Sequence, residues 1–233
     1  MIFRQLFDTD TCTYTYILGD ESSGEAIIID PVRELIDRDT ALLEELGLEL
    51  LYSIDTHVHA DHVTASGLLK ERLGCKTVLS ANCSATCVDV CAGEGDVIEF
   101  GRHKLHVLET HGHTNTCNSY FLAREGMIFT GDVLFVRGCG RTDFQEGDAR
   151  QLYRSVHHKI FSLPPATRIY PGHDYNGHTM STVGEEVAYN PRLGGGRSED
   201  AFVAIMDSLD LSPPSRIDIA VPANENCGLT PPT

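Results

Sequence analysis

The chain has 233 residues, 41% of them hydrophobic and none of them Trp, and carries a formal charge of −16. That length is enough to bury a substantial core, and a single domain over residues 1–233 is the expectation. The charge argues against nucleic acid or an anionic membrane as a partner, and no apolar run is long enough to cross a bilayer.

The amino-terminal stretch MIFRQLFDTDTCTYTYILGD lacks the basic region, apolar core and small-residue cleavage site of a signal peptide, and the fold is expected to start at Met1. A cytoplasmic protein is expected; a mitochondrial matrix protein that had lost a presequence would look the same. FRQLF, TYTYIL and EAIIID read as strands punctuated by Gly and Asp. PVRELIDRDTALLEELG then places Leu35, Ile36, Leu42, Leu43 and Leu46 at helical spacing, with Pro31 at its start and Gly47 at its end. LELLYSIDT reads as a strand, VTASGLLKERLG as a helix and KTVLS as a short strand.

DVIEF, KLHVLET, NSYFLA and GMIFTGD are further strands, followed by the helix DARQLYRSVHHKIFSL and the strand TRIYPG. TMSTVGEEVAYN and EDAFVAIMDSL form a short helical C-terminal segment from about residue 179. Two blocks of strands, with helices between and after them, predict a layered α/β fold in which helices cover packed sheets. The eight cysteines include no CxxC pair, and without a secretion signal they are expected to be reduced thiols. Cys83, Cys87 and Cys91 recur every four residues and would share one face of a helix, as small buried side chains.

The stretch DTHVHADH, directly after LELLYSI, supplies His57, His59, Asp61 and His62. Residues i and i+2 point to opposite sides of a helix but to the same side of an extended chain, so His57 and His59 converge only in an extended or looped segment. Burying that many polar donors behind a strand is costly without partners, and a metal ion is a partner they can share. Three later strands end in the same way. KLHVLET leads into His111-Gly112-His113-Thr114, GMIFT into Gly131-Asp132, and TRIY into Pro171-Gly172-His173-Asp174. Four such loops indicate a metal site at one rim of the sheets. The donors His57, His59, Asp61, His62, His113, Asp132 and His173 are enough for one ion or for two.

THVHADH, HGHT, TGD and PGHD, in this order, resemble the metallo-β-lactamase superfamily across nearly the whole chain. The segment RGCGRTDFQEGD (Arg137 to Asp148), with YPGHDYNG and NPRL, resembles its persulfide dioxygenase branch. His111 stands where the superfamily usually has Pro, and HTNTC lacks the Gly that often follows two residues after the Thr. The resemblance implies a four-layer αββα sandwich (the metallo-β-lactamase fold). It also implies one Fe(II) per chain held by His57, His113 and Asp132, with His59, Asp61, His62 and His173 hydrogen-bonded around those ligands. Two imidazoles and one carboxylate leave iron positions open, whereas zinc has no redox chemistry with which to activate O₂.

The substrates implied are glutathione persulfide and O₂, and the products sulfite and glutathione. Arg141, Tyr175 and Arg192 are the glutathione contacts expected from the resemblance, since a guanidinium fork matches a carboxylate. An ordinary ion pair with one of the 34 acidic residues is the alternative for each Arg. The competing reading is a dinuclear-zinc glutathione thioester hydrolase of the hydroxyacylglutathione hydrolase type, which would use all seven donors. The GCGRTDFQEGD segment and the short tail weigh against it. Cys139 reads as a packed small residue. His103, His106, His157, His158 and His178 read as ordinary strand or surface residues. A homodimer is compatible with the sequence, which does not specify an oligomeric state.

Overall fold

Two six-stranded mixed sheets carry the chain in a computed structural model that describes residues 1–214 and 216–229. The chain divides into two units: residues 1–92, 98–104 and the end of the chain from 212, and residues 93–97 and 105–211.

The first sheet runs β1 (Ile2–Phe7), β2 (Tyr14–Gly19), β3 (Glu25–Ile29), β4 (Glu49–Ile54), β5 (Lys76–Ser80) and β6 (Val90–Ala92), in that spatial order. β1 to β3 are antiparallel, and β3 to β6 are parallel. β2 is buried at every position and β3 at all but its first, because strands covered on both faces need no alternating polar residues. The parallel steps need crossovers, and α1 (Ile36–Glu45) and α2 (Ser66–Leu73) supply two of them. α1 follows a short 3₁₀ turn at Arg33–Leu35, and Gly74 closes α2 in the left-handed conformation. Ile36, Leu43 and Leu69 from these helices pack with Ile17, Ile28 and Leu50 of the sheet.

The second sheet has the order β12-β11-β10-β9-β8-β7. Its strands are β7 (Val97–Phe100), β8 (His103–Glu109), β9 (Asn118–Leu122), β10 (Met127–Gly131), β11 (Arg168–Pro171) and β12 (Ser181–Thr182). β9 is antiparallel to both β8 and β10, and β10 is parallel to β11, so β8, β10 and β11 all end at the same rim. α3 (Ala149–Ser155) continues into a π turn at Val156–Ile160, followed by α4 (Val183–Tyr189) and α5 (Glu199–Asp207). Asp148, Thr182 and Ser198 cap the starts of these three helices with side-chain oxygens. Leu152, Val156, Val183, Phe202 and Met206 pack on Ile128 and Ile169. The chain then returns to the first unit as α6 (Ile217–Asn224).

Three expectations change. Residues 81–89 form turns instead of a helix, and Cys91 lies on β6, so Cys83, Cys87 and Cys91 share no helical face. The cause is local: Asp89 accepts hydrogen bonds from the backbone and hydroxyl of Thr77 at 2.9 and 3.1 Å, and this fastens the segment alongside β5. Not all the thiols are free, because Cys87 is joined to Cys227 in a disulfide. Of the others, Cys139 is buried as expected and Cys75 and Cys117 are buried too, while Cys83 is half-buried and Cys91 exposed, against the expectation that they are buried. Finally, the TMSTVGEEVAYN stretch is helical only over Val183–Tyr189, its Ser181–Thr182 step forming edge strand β12. Among the described residues no helix is long and apolar enough to cross a membrane.

Candidate metal centre

In the first unit, β3 and β4 run parallel with Ile29 opposite Ile54, so Asp30 and the Asp55-Thr56-His57 segment leave the sheet side by side. The loop from His57 to His62 is irregular, with bends at 57 and 60–62, and His57, His59 and His62 are all buried. The ring centroids of His57 and His59 are 4.2 Å apart, and those of His59 and His62 are 4.3 Å apart. Asp30 was not singled out by the sequence, yet it lies at the centre of this group. Its carboxylate accepts from Thr56 N at 2.7 Å, Thr56 Oγ1 at 2.9 Å and His59 Nε2 at 3.0 Å. Burial pushes its carboxyl up to about 6, against the opposing pull of the neighbouring His57 and the hydrogen bonds from Thr56. Asp55 is raised for the same reason, and is held by Thr64 and Ser66 hydroxyls at 2.7 Å each.

Asp61 Oδ2 lies 2.9 Å from His62 Nδ1 and accepts its proton. The loop itself is fastened from α6, where Asn224 Nδ2 donates to the carbonyls of His59 and His62, each at 2.8 Å.

In the second unit the rim shared by β8, β10 and β11 presents His113, Asp132 and His173, all buried. His173 Nδ1 donates to Asp132 Oδ1 at 2.7 Å, while Asp132 Oδ2 lies 3.6 Å from His113 Nε2. His113 Nδ1 sits 2.6 Å from the carbonyl oxygen of Arg141, which can only accept. The proton is therefore on Nδ1, and Nε2 keeps a lone pair directed to the same space as Asp132 Oδ2. This donor pair fits a cation: an imidazole nitrogen and a carboxylate oxygen face each other 3.6 Å apart, beyond hydrogen-bonding distance.

Two glycines make the approach possible. A Cβ at Gly140 would lie 2.7 Å from His113 Nδ1, and one at Gly172 would lie 2.6 Å from Asp132 Oδ1. The RGCGRTDF segment is clamped in turn. Buried Glu186 of α4 bonds the Arg137 backbone and guanidinium, Asn190 donates to Gly138 O at 3.1 Å, and Arg192 Nη1 donates to Cys139 O at 3.0 Å.

A metallo-β-lactamase superfamily model matches residues 85–173. Persulfide dioxygenase ETHE1, mitochondrial, of Homo sapiens is 52% identical to the chain, over 100% of this chain and 91% of its own length. The chain belongs to the persulfide dioxygenase branch of the metallo-β-lactamase superfamily. The crystal structure of ETHE1 from Myxococcus xanthus superposes with a TM-score of 0.95 at 50% identity, covering 98% of this chain and 100% of that one. The fold is thus the metallo-β-lactamase fold expected from the sequence. Hydroxyacylglutathione hydrolase of Rhizobium meliloti is more distant, at 37% identity over 78% of this chain and 71% of its own.

In this persulfide dioxygenase relative, the residues expected to meet substrate lie as follows. Arg141 is held by Asp143 through Nε and Nη2, both at 2.6 Å, and each group strengthens the charge of the other. Its Nη2 also reaches Leu211 O at 3.1 Å, and with Thr142, Asp143, Asp148 and Leu209 it lines a cavity of about 420 Å³. Tyr175 is 67% exposed and lies parallel to the His173 ring. Arg192 points its guanidinium at the Cys139 carbonyl. Burial pushes the Cys139 thiol up to about 11, so it is a packed, unreactive group. His103 is buried on β8, His158 and His178 are exposed, and half-buried His157 stacks on Tyr153 at 3.9 Å.

Proposed function

We propose that this protein is a persulfide dioxygenase. It converts glutathione persulfide, O₂ and water to glutathione and sulfite, with one Fe(II) held by His57, His113 and Asp132. The observation that carries the reading is the 52% identity with a persulfide dioxygenase along the whole chain, set against 37% over 186 residues with the hydrolase. When bound, the iron supplies the redox chemistry that O₂ activation requires and that amino-acid side chains lack.

The chain's own residues prepare and shield that site. The Arg141 carbonyl fixes His113 with Nε2 outward, and His173 holds one Asp132 oxygen so that the other is presented. A count of one ion is supported by how the remaining donors are occupied. Asp61 is taken up by His62, His59 by Asp30, and His173 by Asp132. His59, Asp61, His62 and His173 then orient ligands and tune bound water instead of holding a second ion.

Arg141, Tyr175 and Arg192 are assigned to the glutathione part of the substrate. Tyr175 offers an exposed ring beside His173, and Arg141 a guanidinium at the cavity wall, where a substrate carboxylate would compete with Asp143. The terminal persulfide sulfur is acidic and is taken as the anion. Either the cytoplasm or the mitochondrial matrix suits this chemistry, and the human relative is named as mitochondrial.

The test is oxygen uptake by iron-loaded protein with glutathione persulfide, beside hydrolysis of S-lactoylglutathione by the same preparation. Oxygen consumption with sulfite release, and about one iron per chain, is the expected result. Thioester hydrolysis by protein containing two zinc ions per chain would replace this reading with the hydrolase one.

A further inference from the structure

The DFQEG stretch between Arg141 and α3 turns back through two consecutive non-glycine residues in the left-handed conformation, Gln145 at φ 47° and Glu146 at φ 56°. Such a backbone persists only where its surroundings hold it, and it concentrates at ligand clamps and active sites. Here the holding comes from the HGHTN loop. Asn115 N donates to Gln145 O at 3.2 Å and Asn115 Nδ2 to Glu146 Oε2 at 2.8 Å, while Gly147 N closes the turn on Phe144 O at 2.9 Å. What the turn delivers is the ring of Phe144.

That ring lies between two groups already described. The His113 ring stands at 84° to it with centroids 5.6 Å apart, and the guanidinium carbon of Arg141 lies 5.3 Å over it. A guanidinium has two separate recognition surfaces: an edge that carries its N–H donors, and a face that an aromatic ring attracts. In Arg141 the edge is held by Asp143, through Nε and Nη2 at 2.6 Å each, and the face by Phe144. A substrate carboxylate needs the same edge and has to displace Asp143, whose side chain is 60% exposed and has solvent to turn into. The contact with the ring uses the other surface and can stay in place through that exchange.

We infer that Phe144 is a positioning residue, a ledge that keeps the Arg141 guanidinium in place while its edge passes from Asp143 to a carboxylate of the substrate. This rests on the reading of Arg141 as a substrate contact. Asp143 then acts as a stand-in carboxylate before substrate arrives, and the Phe144 ring, packed against His113, keeps the positive charge at a set place beside that side chain. The strained turn at Gln145 and Glu146 is what brings the ring there.

The experiment separates the ring face from the bulk of the side chain. Phe144→Tyr keeps the face; Phe144→Leu keeps an apolar group without it. The probe is S-methylglutathione, bound to iron-loaded full-length protein under nitrogen and measured by titration calorimetry, beside its dimethyl ester, in which both carboxylates are blocked. Phe144→Leu is expected to weaken S-methylglutathione by about 3–30-fold, the range of a cation–π contact, and the diester by less than about twofold. Phe144→Tyr is expected to bind both as the unsubstituted protein does. Equal weakening of the two ligands, equal weakening by the two variants, or no weakening by Phe144→Leu would each overturn the inference.

Should Phe144→Leu not fold, the unsubstituted protein decides alone. Its Arg141 Nε–H resonance carries the upfield ring-current shift of a group lying over an aromatic face, and that shift is expected to survive saturation with S-methylglutathione. Its loss on binding would mean that the guanidinium leaves the ring, and would overturn the ledge. The two readings also fail separately. Persulfide oxidation by a protein whose probe binding ignores Phe144 sinks only the ledge, whereas the expected binding pattern without oxygen uptake sinks only the dioxygenase assignment.

Discussion

Replacing Asn224 by Ala removes the side chain that fastens the donor loop to α6. The carboxamide is 4% exposed and makes three hydrogen bonds of 2.8 Å, donating to His59 O and His62 O and accepting from Thr64 N. At roughly 1 kcal/mol net for each, the bonds themselves are worth about 3 kcal/mol. The truncation also leaves two carbonyls and an amide inside the protein without this partner, and each such group costs a further 1–3 kcal/mol or so where water cannot reach it. Partial relaxation of the loop offsets part of that, and the expected loss is about 3–5 kcal/mol, a large share of a typical domain's stability. Urea unfolding of the full-length chain measures it, as a fall in midpoint with the slope unchanged. Asn224→Asp provides a second arm. It keeps the acceptor for Thr64 N but sets a carboxylate against two carbonyl oxygens, and should be no more stable than the Ala variant. A loss below about 1 kcal/mol for Asn224→Ala would show that the three bonds are readily replaced, and would remove α6 as the support of the loop.

Arg141→Ala is expected to raise the KM for glutathione persulfide at least about tenfold while iron retention stays unchanged, because His113 is held by the Arg141 backbone carbonyl and not by its side chain; saturation kinetics and metal analysis of one preparation check both halves. Cys227→Ser opens a loop whose ends are 140 residues apart, for which chain entropy alone predicts a loss of about 5 kcal/mol. The variant and the reductant-treated wild type should show the same lowered Tm. Asp20 is held far below its ordinary value of 3.8, first by the Arg102 side chain and then by the backbone N–H groups of Ser22 and Arg102. A depressed folded-state pKa contributes stability above the unfolded value that is lost as pH falls below it, so Asp20→Asn should flatten the decline of Tm below about pH 4.

The parts of the molecule that the sequence reveals are those whose physics is local. β2 and β3 read as strands because two covered faces leave unbroken apolar runs, and α1 because its leucines repeat with the turn of the helix. The donors were legible for a topological reason: strands of one direction end at one rim, so His113, Asp132 and His173 needed only the right strand directions to meet. Features that join distant positions were not. Cys87 and Cys227 carry no local sign of each other, and the four-residue spacing of Cys83, Cys87 and Cys91 imitates a helix that Asp89 prevents. Asn224 is one polar residue in the run VPANEN, significant only because α6 returns to the His59–His62 loop. Asp30 did offer a signal, a carboxylate at the end of an apolar strand just as Asp132 is, but its partners are supplied by β4.

The number of ions was unreadable in principle from a list of donors. Seven donor residues are compatible with one ion or two, and the sequence does not say which atoms the protein has already committed. In the structure those commitments are hydrogen bonds between donors: Asp61 with His62, His173 with Asp132, His59 with Asp30. On the one-ion reading proposed above, each turns a candidate ligand into a support for another side chain. On that reading, ligand choice is a matter of tautomers and carboxylate oxygens more than of residue types. A chain with the same seven donors but different partners at the Asp30 and Arg141 positions in space would present a different set of lone pairs to the same ion.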